Sequence, residues 1–181
     1  MESVLVVVMG VAGAGKSTVA VEVARRVGGV FAEGDDFHSP ENVAAMAAGR
    51  ALTDWDRWPW LGSIRDWLAA QHAAGRPAVV SCSALARVYR DLLRDAGPVL
   101  FVHLTGSPEL LAERIGGRAG HFMKADMLAS QLATLEPLGP DEPGITIDVA
   151  AGLERIVDAA VGYLDGAADQ ASVVPNARPS K

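Results

Sequence analysis

Gly10-Val11-Ala12-Gly13-Ala14-Gly15-Lys16-Ser17 decides the fold. The stretch satisfies G-x-x-x-x-G-K-[ST] at every fixed position, follows an apolar β-rich run (Val4 to Met9) and opens a helix-compatible run from Thr18 to Val27. Strand, loop and helix in that order are the context the motif needs. Glycines let the backbone curl until successive N–H groups converge on phosphate oxygens, and the helix N-terminus adds its positive dipole. Lys16 is placed to bridge outer phosphates, and the Ser17 hydroxyl to ligate Mg²⁺.

Working outward, short β-like runs alternate with helix-length segments. Strands are expected at Val4–Met9, Val30–Ala32, Ala78–Cys82, Val99–Leu104 and Ile145–Val149. Helices are expected from Lys16, from Ser39-Pro40-Glu41, and over Ile64–Ala74, Arg87–Asp95, Pro108–Ile115, Lys124–Leu135 and Leu153–Leu164. Nearly continuous apolar strands imply an α/β fold: a five-stranded parallel sheet with helices on both faces, joined by right-handed crossovers. Ligands in such sheets sit beyond the carboxyl ends of the strands. That rim collects the Ser17 helix start, Glu33 and Asp35, Cys82 and Ser83, and the Val149 end, where the adenine is expected. One domain over 1–165 is expected, with a flexible tail over 166–181 rich in Ala, Ser, Pro and Asn.

Composition bounds the function. The chain has 181 residues, half of them hydrophobic, and a net charge of −6. General nucleic-acid binding is disfavoured by that charge. No apolar run reaches the ~18 residues of a membrane span. The lone cysteine, Cys82, cannot form an intrachain disulfide, and with the absence of a leader-like segment this suits a cytoplasmic setting. Zinc-type ligand spacing and a G-x-S-x-G elbow are both absent.

Four further stretches carry candidate chemistry. Glu33-Gly34-Asp35-Asp36-Phe37-His38 ends the second strand, whose alternation would turn Glu33 and Asp35 to one face. Asp35 is the candidate for orienting an acceptor hydroxyl, and Glu33 for reaching a metal through water. His38 either hydrogen-bonds a polyol or caps the next helix. In Thr53-Asp54-Trp55-Asp56-Arg57-Trp58-Pro59-Trp60, Arg57 amid large rings either grips a carboxylate, or the stretch is a structural corner in which the tryptophans pack and Arg57 pairs with Asp54 or Asp56. In Ser81-Cys82-Ser83-Ala84-Leu85 and the following Tyr89-Arg90-Asp91, Cys82 reads as an inert thiol. Arg90 either projects over the rim or joins a surface ion pair. Residues Arg114 to Lys124 form a basic, glycine-hinged segment. It reads as a lid that excludes water, with Arg114 and Arg118 offering charge to a triphosphate, or as a plain loop between helices. The phosphate loop implies ATP with Mg²⁺.

Together these blocks resemble the gluconokinase family of small P-loop kinases. They are MGVAGAGKST, EGDDFHSPENVAAMAAGRALTDWDRWPWL, SCSALARVYRDLLR and GHFMKADMLASQLATLEP, from Met9 to Pro137 in family order. The second block separates this group from shikimate and nucleoside monophosphate kinases. The resemblance implies a three-layer P-loop kinase fold with a mobile lid, often a homodimer, that moves the γ-phosphoryl of ATP to the 6-hydroxyl of D-gluconate. Gly10 to Thr18 would hold ATP and metal. Asp35, His38, Arg57 and Arg90 would face the acceptor, joined by His121 and Lys124 of the lid motif and Gln131 of the helix after it. Ala86 stands where family members usually carry lysine, and Trp58 is atypical at a variable site. The rival readings are a shikimate-type kinase and a nucleotide-dependent switch.

Overall fold

A computed structural model describes residues 3–116 and 121–172; the side chains of 121–125 and 170–172 lie outside the description. The elements run β1 (Leu5–Met9), α1 (Lys16–Val27), β2 (Val30–Glu33), α2 (Pro40–Ala47), α3 (Asp54–Ala73), β3 (Ala78–Ser81), α4 (Arg87–Arg94), β4 (Val99–Thr105), α5 (Pro108–Gly116), α6 (His121–Thr134), β5 (Gly144–Asp148) and α7 (Leu153–Ser172). The five strands form one sheet in the order β2-β3-β1-β4-β5, every pairing parallel. The expected architecture is therefore present, and β1 with its phosphate loop lies at the centre.

Alternation along β1 builds two cores. Val6 and Val8 face α1 and α7, against Val19, Val23, Ile156 and Val157. Leu5, Val7 and Met9 face α3 and α4, against Leu61, Ile64, Leu68 and Leu93. Each such side chain contributes about 1.5–3 kcal/mol by leaving water. Burial on both faces is why the strands read as unbroken apolar runs.

Two boundaries differ from expectation. α3 begins ten residues before Ile64, so the tryptophan-rich stretch is a helical first segment, not a corner. Thr53 caps it: its side chain accepts from the Asp56 N–H, and the Asp56 carboxylate accepts from the Thr53 N–H at 2.8 Å. This reciprocal cap secures the start. Pro59 lies inside the helix; it forfeits one hydrogen bond, which this capped helix with its buried face tolerates. α7 runs to Ser172, so the expected tail start at Gly166 falls within a helix.

Candidate active site

The phosphate loop has the curl its sequence requires. Gly10, Gly13 and Gly15 adopt φ of +142°, +80° and +84°. At Gly13 a Cβ would lie 2.8 Å from Ile115 Cγ1, so glycine also lets the loop pack on α5. The Lys16 ammonium folds back to donate to the Val11 carbonyl at 3.1 Å. Burial pushes its pKa down, opposed by the negative charges of Asp35 and Glu33. Lys16 thus stands among the acidic groups of the rim.

Glu33 closes β2 and receives two hydroxyls: Ser17 donates to Oε2 and Ser81, at the end of β3, donates to Oε1. The pairing sets a hydroxyl and a carboxylate side by side at the first turn of α1. Mg²⁺ prefers hard oxygen ligands and takes only one or two protein groups beside phosphates and water. The donor set fits that ion, and no cluster of three His, Cys, Asp or Glu suited to a protein-caged metal exists among the described residues. The role of Ser81 was not legible in sequence; only the β2–β3 register, Glu33 opposite Ser81, creates it.

Beyond Glu33 the strand stops. Gly34–Phe37 is a 3-10 turn, so Asp35 reaches the rim from a turn and not through strand alternation with Glu33. Gly34 permits this. A Cβ there would lie 2.1 Å from the Ser81 carbonyl oxygen, so only glycine lets the turn fold against β3. The Trp60 indole N–H holds the turn by donating to the Gly34 carbonyl at 2.7 Å. The Asp35 carboxylate is exposed, and its Oδ1 lies 4.0 Å from His38 Nε2.

His38 does not cap α2; Ser39 does, accepting from the Asn42 N–H at 3.1 Å. The His38 ring stacks on Trp60, 4.2 Å between centroids and 14° between planes. Its Nδ1 is buried without a hydrogen-bond partner among the described residues. Burial lowers its pKa, with Asp35 opposing and the positive charge of Arg57 adding to the fall. At neutral pH it is therefore a neutral ring that can donate or accept.

Arg57 is half-buried on the first turns of α3. Its Nη1 donates to the Tyr89 hydroxyl at 3.1 Å and to Asp54 Oδ1 at 3.4 Å. The pairing with Asp54 is thus present, and Nε and Nη2 keep no protein partner among the described residues.

Arg90 is a correction. It does not project over the rim or sit on the surface. Its side chain is fully buried against Glu142, with Nε–Oε1 at 2.6 Å and Nη2–Oε2 at 2.9 Å. Nη1 donates to the carbonyls of Ala84 and Leu85, and Nη2 also to Pro137. All five guanidinium donors are engaged, leaving none for a substrate. Glu142 lies five residues beyond the last motif stretch and 52 from Arg90, so nothing in the sequence paired the two.

On the other side of the loop, Arg114 Nη2 donates to the Val149 carbonyl at 3.0 Å, beside the expected adenine position. Gln131 reaches from α6 to the phosphate loop itself, its Oε1 accepting from the Ala12 N–H at 2.6 Å. Arg118 lies outside the described residues, and so do the side chains of His121 and Lys124. Cys82 is buried, and burial pushes its thiol up to about 12, as its reading as inert requires.

A phosphate loop on the central strand and a hydroxyl–carboxylate pair beside it, with Asp35 and His38 4.0 Å apart in the adjoining turn, define a small-molecule P-loop phosphotransferase. Comparison with known proteins narrows the class. Residues 5–138 match the family model described as an AAA domain. The chain is 54% identical to a gluconokinase of Gluconobacter oxydans over 78% of its own length and 80% of the relative's. It is 41% identical to the thermoresistant gluconokinase of Escherichia coli, over 83% and 87% of the two chains. The crystal structure of a gluconokinase from Sinorhizobium meliloti superposes with a TM-score of 0.85 at 46% identity, covering 93% of this chain and 95% of that one. The chain belongs to the gluconokinase family of P-loop kinases.

Proposed function

We propose that this chain transfers the γ-phosphoryl group of ATP to the 6-hydroxyl of D-gluconate, giving 6-phosphogluconate and ADP. The observation that carries the reading is the convergence of Lys16, Asp35, His38 and Arg57 on one rim. Burial places Lys16 under the fields of Asp35 and Glu33, and His38 under those of Asp35 and Arg57. The Lys16 cation thus shares the field of Asp35, and the same carboxylate faces the neutral His38 ring, which in turn feels Arg57.

Phosphoryl transfer is governed by positioning and charge. Lys16 leaves the Val11 carbonyl and neutralises charge on the moving phosphoryl. The N–H groups of Gly13 to Thr18 hold the phosphates. Asp35 orients the acceptor hydroxyl and takes its proton. His38 holds a neighbouring hydroxyl through Nε2, the ring nitrogen that faces Asp35. Arg57 turns its Nε/Nη2 edge to the carboxylate, a bidentate geometry that lysine cannot supply. Ser17, directly, and Glu33, through water, would hold Mg²⁺, which supplies charge neutralisation between phosphates. Arg114 and Arg118 add charge from the nucleotide side, and His121, Lys124 and Gln131 close the acceptor side. A cytoplasmic setting and a homodimer complete the proposal; no helix among the described residues is long and apolar enough to cross a membrane.

A substrate panel in an ADP-coupled assay tests the reading. Turnover is expected with D-gluconate and not with shikimate. Turnover of shikimate alone would move the chain to the neighbouring kinase class, and nucleotide binding without any acceptor-stimulated turnover would make it a switch.

A further inference from the structure

We propose that Tyr89 is a positioning residue that sets the angle of the Arg57 guanidinium and so fixes which of its edges meets the substrate carboxylate. The inference rests on the reading of Arg57 as carboxylate anchor. The Tyr89 hydroxyl donates to Asp54 Oδ1 at 2.5 Å and accepts from Arg57 Nη1 at 3.1 Å. Arg57 Nη1 also donates to the same Asp54 oxygen at 3.4 Å. Three groups thus share one closed ring of hydrogen bonds. The guanidinium carbon stands 5.8 Å from the centroid of the Tyr89 ring.

That ring of contacts has a consequence for the free edge. A lone arginine on an exposed helix turn samples many rotamers, and freezing it costs side-chain entropy on binding. Here Nη1 is held from two sides, so the guanidinium plane is set in advance and Nε with Nη2 stays open. Tyr89 itself is well placed to impose this. It is buried, and Trp58 packs edge-on against it at 5.5 Å and 77°. Its phenol is pushed up by burial and by donation to Asp54, so it remains a donor through the neutral range. The next residue, Arg90, is locked to Glu142, which pins the α4 turn carrying Tyr89. Arg90 thus serves the substrate pocket from a distance, through the helix that presents Tyr89.

The test is a double-mutant cycle on Tyr89→Phe and Arg57→Ala, read in the kinase assay and by thermal melting. Tyr89→Phe keeps the aromatic ring, its packing on Trp58 and its cation–π face, and removes only the hydroxyl. Gluconate KM is expected to rise about tenfold, the value of one charge-assisted hydrogen bond. kcat and the ATP KM stay within about twofold, and the melting temperature is nearly unchanged. In the Arg57→Ala background, Tyr89→Phe adds nothing further to gluconate KM. Independent, multiplying effects overturn the proposal, and so does a Tyr89→Phe enzyme whose ATP and gluconate KM rise together. If Arg57→Ala raises gluconate KM and Tyr89→Phe does not, Tyr89 falls and the anchor stands. If Arg57→Ala leaves gluconate KM unchanged, the anchor falls and Tyr89 falls with it.

Discussion

Glu142→Ala separates a structural Arg90 from a substrate-binding one. In the folded chain the Glu142 carboxylate accepts from Arg90 Nε, Arg90 Nη2 and the Gly139 N–H, at 2.6, 2.9 and 2.8 Å. Truncating it strands two guanidinium donors and a full positive charge at a site with no solvent exposure. Removing one partner of a buried ion pair costs about 3–5 kcal/mol. For a chain of this size each kcal/mol moves the melting temperature by about 2–4 °C, so a fall of roughly 6–20 °C is expected. Replacing both partners, as Arg90→Met with Glu142→Leu, removes the stranded charge and should recover much of that loss. The neighbouring Asp141 is a built-in control. It pairs with Arg87 at 2.5 Å, but both side chains are exposed. Solvent screens that pair, so Asp141→Asn should barely move the melt. The assay is calorimetry on the four proteins, with gluconate KM measured on each that is folded at assay temperature. A Glu142→Ala melt within about 2 °C of the parent, together with a raised gluconate KM, would refute the structural assignment and return Arg90 to the substrate.

Other expectations follow from the same geometry. Lys16→Ala should lower kcat by at least about 10²–10³-fold while the melting temperature holds, since a preorganised cation at the transferring group is lost; unchanged turnover would remove Lys16 from the chemistry. Glu33→Gln should raise the magnesium concentration needed for half-maximal rate, and Ser81→Ala should do so more weakly by loosening Glu33; a magnesium titration superimposable on the parent's would exclude both from the metal side. Gly34→Ala should destabilise by about 1–3 kcal/mol or more, because its Cβ meets the Ser81 carbonyl oxygen at 2.1 Å; urea unfolding measures it, and a parental midpoint would contradict the close approach. Finally, His103 is buried on β4 with neither ring nitrogen partnered among the described residues, and its pKa is lowered by burial and by the charge of Arg90. Below the ordinary histidine pKa of about 6.5 the unfolded chain takes a proton that the folded chain refuses, so stability falls with pH by up to about 1.4 kcal/mol per unit. His103→Met should flatten that slope, leaving the smaller share from His38; an unchanged slope would show that His103 titrates alike in both states.

The fold was legible because each local signal agreed with the next: glycines and Lys16 after an apolar strand, then strand and helix in alternation. The placement of the candidate residues was legible where each stands on or beside its own element, as at Lys16, Ser17 and Glu33. It was obscured in three places, each for a physical reason. The helix was expected only from Ile64, yet the Thr53–Asp56 cap starts it ten residues earlier and holds it through Pro59. Asp35 was assigned to a strand by alternation, but the lack of a Cβ at Gly34 lets the chain turn one residue earlier. Arg90 sits two turns from rim residues in sequence, and its partner Glu142 is 52 positions away. Charge pairing over such distances leaves no periodic trace; it exists only once β4 and β5 have brought the Glu142 loop under α4.

The internal pairings of the phosphate site bear on how much nucleotide affinity the loop can deliver. Lys16 rests on the Val11 carbonyl, Ser17 on Glu33, and the Ala12 N–H on Gln131. Each is a group that a phosphate or a metal would take. Binding therefore exchanges hydrogen bonds instead of adding them, and the net gain per exchange is the modest one of like for like. The exchanges differ in direction, however. Lys16 gives up a neutral carbonyl for a full charge and Ser17 exchanges one carboxylate for another charged partner, whereas the Ala12 N–H gives up an amide that belongs to a different helix. Contact between phosphate and Ala12 must displace Gln131 or share the N–H with it. A phosphate that took the Ala12 N–H would thereby release the contact between the loop and α6. Fluorescence of a probe on α6 should then respond to nucleotide in the parent and much less in Gln131→Ala; an equal response in the variant would place the coupling elsewhere.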